Sequence, residues 1–227
     1  MARAKKVNYN EDDLIDLFSL TRVADRQTPE MQRWLTVQTP VLDIVEQGIF
    51  DRILPFAIRD MAGWCEEELK MHFISQILPT AHLTGNGRYK AFYEKTISGV
   101  VDGIELSTKT DFMLATSAFI KPKSPYFHFQ EYKPLKPSLY GGIRRGLGDS
   151  MAQLLEAMLI AQEKNKNGKP IYGCEIVGKE WSFVTLKDKT YCISEALNSV
   201  KKDRLLSIIA ILRHFKHILE TELLDDI

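Results

Sequence analysis

Residues 126–134 read YFHFQEYKP, and this stretch decides how the rest of the sequence is interpreted. Its aromatic residues alternate, as they do on a strand of a buried pleated sheet, until the strand ends on two opposite charges around Tyr132. Glu131 and Lys133 lie two residues apart, so both side chains emerge on the same face of the strand. We therefore ask which other charged groups could reach this strand end.

The preceding predicted strand supplies one such group, because it contains TKTDFMLA at residues 108–115, with Asp111 in the middle. Strands related by a hairpin can bring Asp111 and Glu131 together, and two neighbouring carboxylates suit Mg²⁺, with water and a substrate phosphate completing the shell. The ammonium of Lys133 could then orient an attacking hydroxide or offset charge on the phosphate. The strand end therefore predicts a metal and phosphate site. The alternative for Glu131 and Lys133 alone is a surface ion pair that contributes at most about 1 kcal/mol.

A helix predicted from about Ile58 to Leu78, IRDMAGWCEEELKMHFISQIL, carries a carboxylate inside its apolar stripe. At about 100° per residue, Leu69 and Phe73 define that stripe, and Glu66 falls within it. A buried carboxylate is costly unless it has a partner. Glu66 is therefore a third candidate for the site.

The other segments alternate between helix and strand signals. Residues 10–60 show helix starts such as Asn10 before acidic residues and Thr28 before Pro29. Three strands follow the helix (RYKAFYEKTISGVV, IELSTKTDFMLATS, PYFHFQEYKP), then the helix DSMAQLLEAMLIAQEKNK capped by Asp149 or Ser150, two strands (KPIYGCEIVG, KEWSFVTLKDKTYCIS) and the final helix SEALNSVKKDRLLSIIAILRHFKHILETELL. This order predicts an α/β fold with a mixed central sheet between helices. Residues 1–57 would form a helical arm that packs or binds a protein partner, and residues 58–227 the main domain.

The composition of the chain adds limits. Its 227 residues have a formal net charge of zero, so any polyanion site must come from local clustering of basic residues. Cys65, Cys174 and Cys192 are odd in number and far apart, which favours reduced thiols in a cytoplasmic protein. No apolar run approaches the roughly 20 residues of a membrane span.

The order of these candidates resembles a known pattern. A helix Glu, a strand Asp, a strand Glu-x-Lys and a helix Gln occur in that order in the PD-(D/E)XK nuclease superfamily, and here they fall on Glu66, Asp111, Glu131-Tyr132-Lys133 and Gln153. The stretch CEEELKMHFISQIL is also similar to the helix that opens the nuclease domain of type I restriction motor subunits. Nearly the full length, including WCEEELKMHFI, FHFQEYKP and IYGCEIVGKEWSFVTL, resembles a family of mostly Bacteroidetes proteins with this core. One departure is Thr110, which stands where the superfamily has its proline.

The resemblance implies a restriction-endonuclease-like fold and Mg²⁺ or Mn²⁺ as cofactor. Asp111, Glu131 and the Tyr132 carbonyl would hold the metal ion, while Glu66 would bind a second ion or a metal-bound water. Lys133 would act on the nucleophile, and Gln153 would complete the catalytic set. For Gln153 the alternative is a polar residue on a packed helix, since it points away from the main apolar face.

The loop after the active strand, SLYGGIRRGLGDS, lacks the Lys-Ser/Thr pair of a phosphate-binding P-loop. Its Arg144 and Arg145, with Lys136 before it, are instead candidates for contacts to a nucleic-acid backbone. We therefore expect a metal-dependent nuclease that hydrolyses DNA in restriction, defence or DNA processing. Two alternatives stay open: a catalytically silent nucleic-acid-binding or protein-interaction module on the same fold, and a purely structural domain with surface ion pairs.

Overall fold

Residues 8–85, 87–135 and 147–224 are described by a computed structural model of the chain. The α-helices are α1 (Glu11–Phe18), α2 (Pro29–Leu35), α3 (Ile44–Asp60), α4 (Glu66–Leu69), α5 (Ser75–Thr80), α6 (Leu147–Asn165) and α7 (Lys202–Ile218), with a 3₁₀ turn at Met61–Gly63 and π-helical segments at Lys70–Ile74 and Leu219–Leu223. The strands are β1 (Thr21–Ala24), β2 (Lys90–Val101), β3 (Ile104–Ala118), β4 (Lys121–Lys133), β5 (Ile171–Val177), β6 (Glu180–Lys187), β7 (Thr190–Ile193) and β8 (Leu197–Asn198). In these ranges no helix is both long and apolar enough to cross a membrane.

All the strands belong to one mixed sheet with the order β1-β7-β6-β5-β4-β3-β2, and β8 pairs with β6. The pairs β1–β7 and β4–β5 are parallel, and the other pairs are antiparallel. This confirms the predicted mixed sheet between helices. The segment KEWSFVTLKDKTYCIS was predicted as one strand, which is wrong, because a turn with Asp188 at φ 54° divides it into β6 and β7.

Each face of the sheet has its own hydrophobic core. Side chains of α2, α3, α7 and residues 66–80 fill one core, and side chains of α1 and α6 fill the other. Helix α6 lies close to the sheet because two strands have glycine beneath it. A Cβ atom at Gly99 would lie 3.0 Å from Ile160, and one at Gly173 would lie 3.0 Å from Leu154. Helix α6 starts at Leu147, so the predicted cap at Asp149 or Ser150 is wrong, and Ser150 lies inside the first turn.

The first 57 residues contain a strand as well as the predicted helices. Strand β1 pairs with β7 at the edge of the sheet, where three of its four residues are exposed, so no apolar pattern marks it in the sequence. Trp34 is buried in the core, with its ring 5.0 Å from the ring of Phe183 and its Nε1 donating to the Ile211 carbonyl at 3.0 Å. Helix α3 runs across the predicted boundary at residues 57 and 58.

The single helix predicted from Ile58 to Leu78 is also wrong. The chain leaves helical geometry after the 3₁₀ turn at Met61–Gly63, and Cys65 becomes the N-cap of a new helix that starts at Glu66. Residues 66–80, which we call the site helix, then widen into a π-helical segment at Lys70–Ile74 and continue past Pro79 to Thr80. Short π-helical segments within α-helices are frequent at functional sites.

Candidate active site

Six charged side chains from the site helix and from β2, β3 and β4 meet at the carboxyl end of β4. They are Glu66, Lys70, Glu94, Asp111, Glu131 and Lys133, and we call them the charge cluster. Strand register explains part of this arrangement, because Phe112 pairs with Gln130 and the next residues on the two strands are Asp111 and Glu131. The structure therefore brings together four of the predicted site residues and adds Lys70 and Glu94.

Lys70 lies at the centre of the charge cluster. Its Nζ donates to Asp111 Oδ1 at 2.6 Å, to Glu66 Oε1 at 2.7 Å and to Glu94 Oε1 at 2.8 Å. An ammonium group has three donors, and here each one is directed to a different carboxylate. Burial alone would lower the pKa of Lys70, but these hydrogen bonds raise it above its ordinary value. Lys70 is therefore charged throughout the neutral range.

Glu66 connects the two lysines of the cluster. Its Oε1 accepts from Lys70, and its Oε2 lies 3.9 Å from Lys133 Nζ. Lys133 in turn donates to Glu131 Oε1 at 2.5 Å. The partner expected for Glu66 is thus present, although Glu66 is half-buried at the start of α4 and not within the core stripe.

Asp111 is buried and held at both oxygens. Its Oδ2 accepts the backbone N–H of Tyr132 at 2.7 Å, while Oδ1 accepts from Lys70. Burial raises the pKa of Asp111, and the hydrogen bonds from Lys70 and from the Tyr132 N–H partly oppose that rise. The Tyr132 contact fixes the carboxylate of β3 against the backbone of β4, between Glu131 and Lys133.

Glu131 is the most deeply buried carboxylate of the cluster, with 4% of the residue exposed. Burial raises its pKa to about 8; the nearby charge of Asp111 adds to the rise and Lys133 opposes it. Two carboxylates so close in a low-dielectric site favour a cation between them, since positive charge stabilises both ionised forms.

Glu94 has an unusual backbone conformation for a residue within a strand. Its φ is 54°, and the pairing of β2 with β3 skips it, continuing from Tyr93–Phe112 to Lys95–Thr110. A left-handed conformation costs a non-glycine residue about 1–2 kcal/mol. The carboxylate thereby reaches both Lys70 and Lys109. Strain of this kind is common where a structure positions a functional group.

A further carboxylate, the half-buried Glu175, lies on β5 next to the cluster. Glu131 and Glu175 are paired in parallel register, so their side chains share a face, and Glu175 accepts a short hydrogen bond from the Ser150 hydroxyl of α6. Burial raises the pKa of Glu175. Gln153 is half-buried three residues after Ser150, and no hydrogen bond joins it to another described residue. Among the described residues, no hydrogen bond therefore joins Gln153 to the charge cluster.

The predicted metal ligands are Asp111, Glu131, the Tyr132 carbonyl and Glu66. Within the described ranges, no three His, Cys, Asp or Glu side chains are grouped so that they could hold a metal ion together. Mg²⁺ is usually held by one or two carboxylates, with waters and substrate phosphate as the other ligands. Asp111 and Glu131 fit that requirement, because they are buried and adjacent, and burial raises the pKa of both carboxyl groups. In this arrangement the ammonium of Lys70 occupies the point where Asp111 and Glu66 converge.

The predicted contacts to a nucleic-acid backbone at Lys136, Arg144 and Arg145 lie outside the described residues. Lys70 and Glu94 are the residues that the sequence did not predict as part of the site. The spacing of Glu66 and Lys70, four residues apart on one helix, is a signal that could have indicated their pairing. A scan against models of protein families found no match, and a search of the curated proteins found none either.

Proposed function

We propose that the chain is a metal-dependent nuclease of the PD-(D/E)XK class with a restriction-endonuclease-like fold. It would hydrolyse phosphodiester bonds of DNA in restriction, host defence or DNA processing in the cytoplasm. The observation that carries this proposal is the charge cluster: Glu66, Asp111, Glu131 and Lys133 come from three separate elements and lie within one network of hydrogen bonds and ion pairs. Independent surface charges would have no reason to converge in this way.

Each of these residues would have its own role in the proposed reaction. Asp111 and Glu131, with the Tyr132 carbonyl, would hold Mg²⁺ or Mn²⁺. The bound ion would supply Lewis-acid polarisation of the phosphate and stabilise the leaving oxygen. The Tyr132 N–H keeps the Asp111 carboxylate fixed. Lys133 would orient the attacking water and offset charge that develops on the phosphate.

Glu66 would support this arrangement from the site helix, because its second oxygen lies 3.9 Å from the Lys133 ammonium. Loss of Glu66 would leave Lys133 with only one carboxylate neighbour. Gln153 shares a face of α6 with Ala157 and Ala161, both fully buried, but it is a weaker member of the proposed set, because no hydrogen bond joins it to another described residue. Contacts to DNA from the loop that contains Arg144 and Arg145, and to a protein partner from residues 1–57, belong to the same proposal.

One observation favours a second candidate, a catalytically silent nucleic-acid-binding or protein-interaction module. Lys70 donates a hydrogen bond to each of three carboxylates of the cluster and so offsets their negative charge. A cluster whose charges are already compensated can contribute to the stability of the fold without having a catalytic role. In that case the same fold would bind its partner, and no bond would be cleaved.

A cleavage assay on plasmid and linear DNA in Mg²⁺ or Mn²⁺, with EDTA as the blank, distinguishes the nuclease from the catalytically silent module. The nuclease proposal predicts that Asp111→Ala and Lys133→Ala each lower the cleavage rate by about 100-fold or more, the scale on which removal of one electrostatic group acts. Glu105→Ala and Lys201→Ala are matched controls at exposed positions and should cleave like wild type. Circular dichroism checks that all four variants are folded.

The silent module predicts a different set of results. Wild type would then show no cleavage with either metal ion. DNA affinity with a steep dependence on salt concentration would persist in both Asp111→Ala and Lys133→Ala.

A further inference from the structure

A groove of about 330 Å³ lies on the hairpins next to the charge cluster. Three lysines from different elements line it: Lys95 of β2, Lys121 of β4 and Lys164 of α6. Thr96, Ser98 and Tyr126 also line it, which adds hydroxyl groups and an aromatic ring. We call this feature the lysine groove.

The lysines of this groove differ from those of the charge cluster in their surroundings. Within the described part of the chain, neither Lys95, Lys121 nor Lys164 lies in an ion pair. The Lys164 side chain passes over Gly99, where a Cβ atom would lie 3.5 Å from its Cε, so its position depends on that glycine. Ammonium groups that share a groove without counter-charge repel one another and attract an anion.

The turn between β3 and β4 adds an apolar element beside the groove. Phe119 is 82% exposed and Ile120 is 64% exposed. The carbonyl of Phe119 accepts from Lys90 Nζ at 2.9 Å, which holds the turn in place. Ile120 also lines the groove, so the apolar tip and the lysines form one continuous surface.

This combination matches the chemistry of a nucleic acid better than that of an acidic peptide. Proteins that bind single strands combine a basic groove along the backbone with aromatic side chains on which bases stack. Proteins that bend duplexes insert Phe or Ile between base steps. In both cases lysines and an exposed apolar tip lie next to each other, as they do at Lys121 and Phe119.

The groove is also connected to the charge cluster. Lys95 directly follows Glu94, whose carboxylate belongs to the cluster. Lys95 also pairs with Thr110, the residue before Asp111. A backbone bound at Lys95 would therefore lie beside the residue that follows Glu94 on β2, across from the residue that precedes Asp111 on β3.

We propose that the lysine groove binds the phosphate backbone of a nucleic acid and that Phe119 contacts its bases. The inference rests on the proposed function for the kind of polymer, but binding itself requires no cleavage. Hairpin β3–β4 would act as a docking arm, and the three lysines of the groove would each neutralise one phosphate.

Fluorescence anisotropy of labelled 20-mer DNA, single-stranded and duplex, tests the inference with the full chain in EDTA. The triple variant Lys95→Gln, Lys121→Gln, Lys164→Gln should bind about tenfold more weakly or worse at moderate salt. The slope of log affinity against log salt should fall by about 2–3, because each phosphate contact contributes about 0.7–0.9. Phe119→Ala should weaken binding about fivefold or more with little change of slope.

A second triple variant at Lys179, Lys201 and Lys202, all to Gln, removes the same charge at lysines without carboxylate partners elsewhere in the described structure. It should bind within about twofold of wild type, and melting temperatures check folding.

Equal affinity and slope for wild type and the groove variant would overturn the inference, as would wild type that binds vesicles with anionic lipid but no DNA. Loss of binding in the groove variant supports the inference even if no cleavage is ever seen. Cleavage that depends on Asp111 but not on the groove lysines would support the nuclease proposal and contradict the proposed role of the lysine groove.

Discussion

The charge cluster and the lysine groove both use residues of β2 and β4, but their lysines have opposite surroundings. In the cluster, Lys70 and Lys133 each lie within hydrogen-bond distance of a buried carboxylate. In the groove, Lys95, Lys121 and Lys164 have no carboxylate partner among the described residues. The difference shows that the role of a lysine depends on whether a carboxylate lies within reach of its ammonium group. A paired lysine fixes a site from within, whereas an unpaired one remains available to a ligand.

This contrast predicts that the two sets of lysines contribute differently to stability. Breaking a buried ion pair leaves an uncompensated charge, which typically costs about 3–5 kcal/mol. Exposed pairs contribute about 0–1 kcal/mol. Substitutions in the cluster should therefore affect folding, and those in the groove should affect binding alone.

The largest expected effect is that of Lys70→Met. It would leave Glu66, Glu94 and Asp111 without their shared cation, so the free energy of unfolding should fall by about 3 kcal/mol, near the low end for a buried pair because 22% of the Lys70 side chain is exposed. Urea denaturation in EDTA measures the change.

Lys109→Met is the matched control for Lys70→Met. Lys109 also pairs with Glu94, but 58% of its side chain is exposed, so its loss should cost less than about 1 kcal/mol. Equal losses in the two variants would contradict the central position of Lys70 in the cluster.

Glu175 gives a second comparison, because it is half-buried beside the cluster and its hydrogen-bond partner is a hydroxyl group and not a lysine. Burial raises its pKa above 4.5, so the folded state holds this proton more tightly than the unfolded state. The free energy of unfolding should therefore fall as pH rises above about 4.5, with a slope of at most about 1.4 kcal/mol per pH unit for this group. Glu175→Gln should remove that part of the slope in denaturation series from pH 5 to 7. Identical slopes in wild type and variant would show that Glu175 titrates normally.

The smallest expected effect concerns the strained backbone at Glu94. Glu94→Gly and Glu94→Ala both remove the carboxylate, but only glycine adopts a φ of 54° without strain. Glycine should therefore be the more stable of the two by about 0.5–1 kcal/mol, the reverse of the usual order within a strand. Thermal unfolding of the pair measures the difference, and a more stable alanine variant would show that the backbone relaxes.

Most of the site could be predicted from the sequence because its residues belong to patterned segments. Alternation of aromatic residues in β4 and the position of Asp111 one strand earlier were sufficient to expect their proximity. Lys70 could not be predicted as the centre of the cluster, since its contacts with Asp111 and Glu94 depend on helix-to-strand packing across 41 and 24 residues. The conformation of Glu94 has no signal in its residue type either, because glutamate rarely adopts positive φ.

The fold was predictable to a similar degree. The order of strands and helices indicated a mixed sheet, since apolar runs and turn residues mark most elements. The errors fall where the local signal is weak. Strand β1 is short and mostly exposed, and the helix expected from Ile58 ends because Met61–Gly63 tightens into a 3₁₀ turn before Cys65. Because of this interruption, Glu66 lies in the first turn of a helix and not, as predicted, in the middle of one.

The central claim is that Asp111 and Glu131 hold a divalent cation in place of the Lys70 ammonium. Crystals soaked in Mn²⁺ test it most directly through anomalous density. We predict a peak about 2.0–2.2 Å from an oxygen of each carboxylate, the distance range of hard octahedral ions, with Lys70 Nζ moved away from Asp111. The absence of a peak at saturating Mn²⁺, with the bond from Lys70 to Asp111 intact, would contradict the claim and favour the silent module.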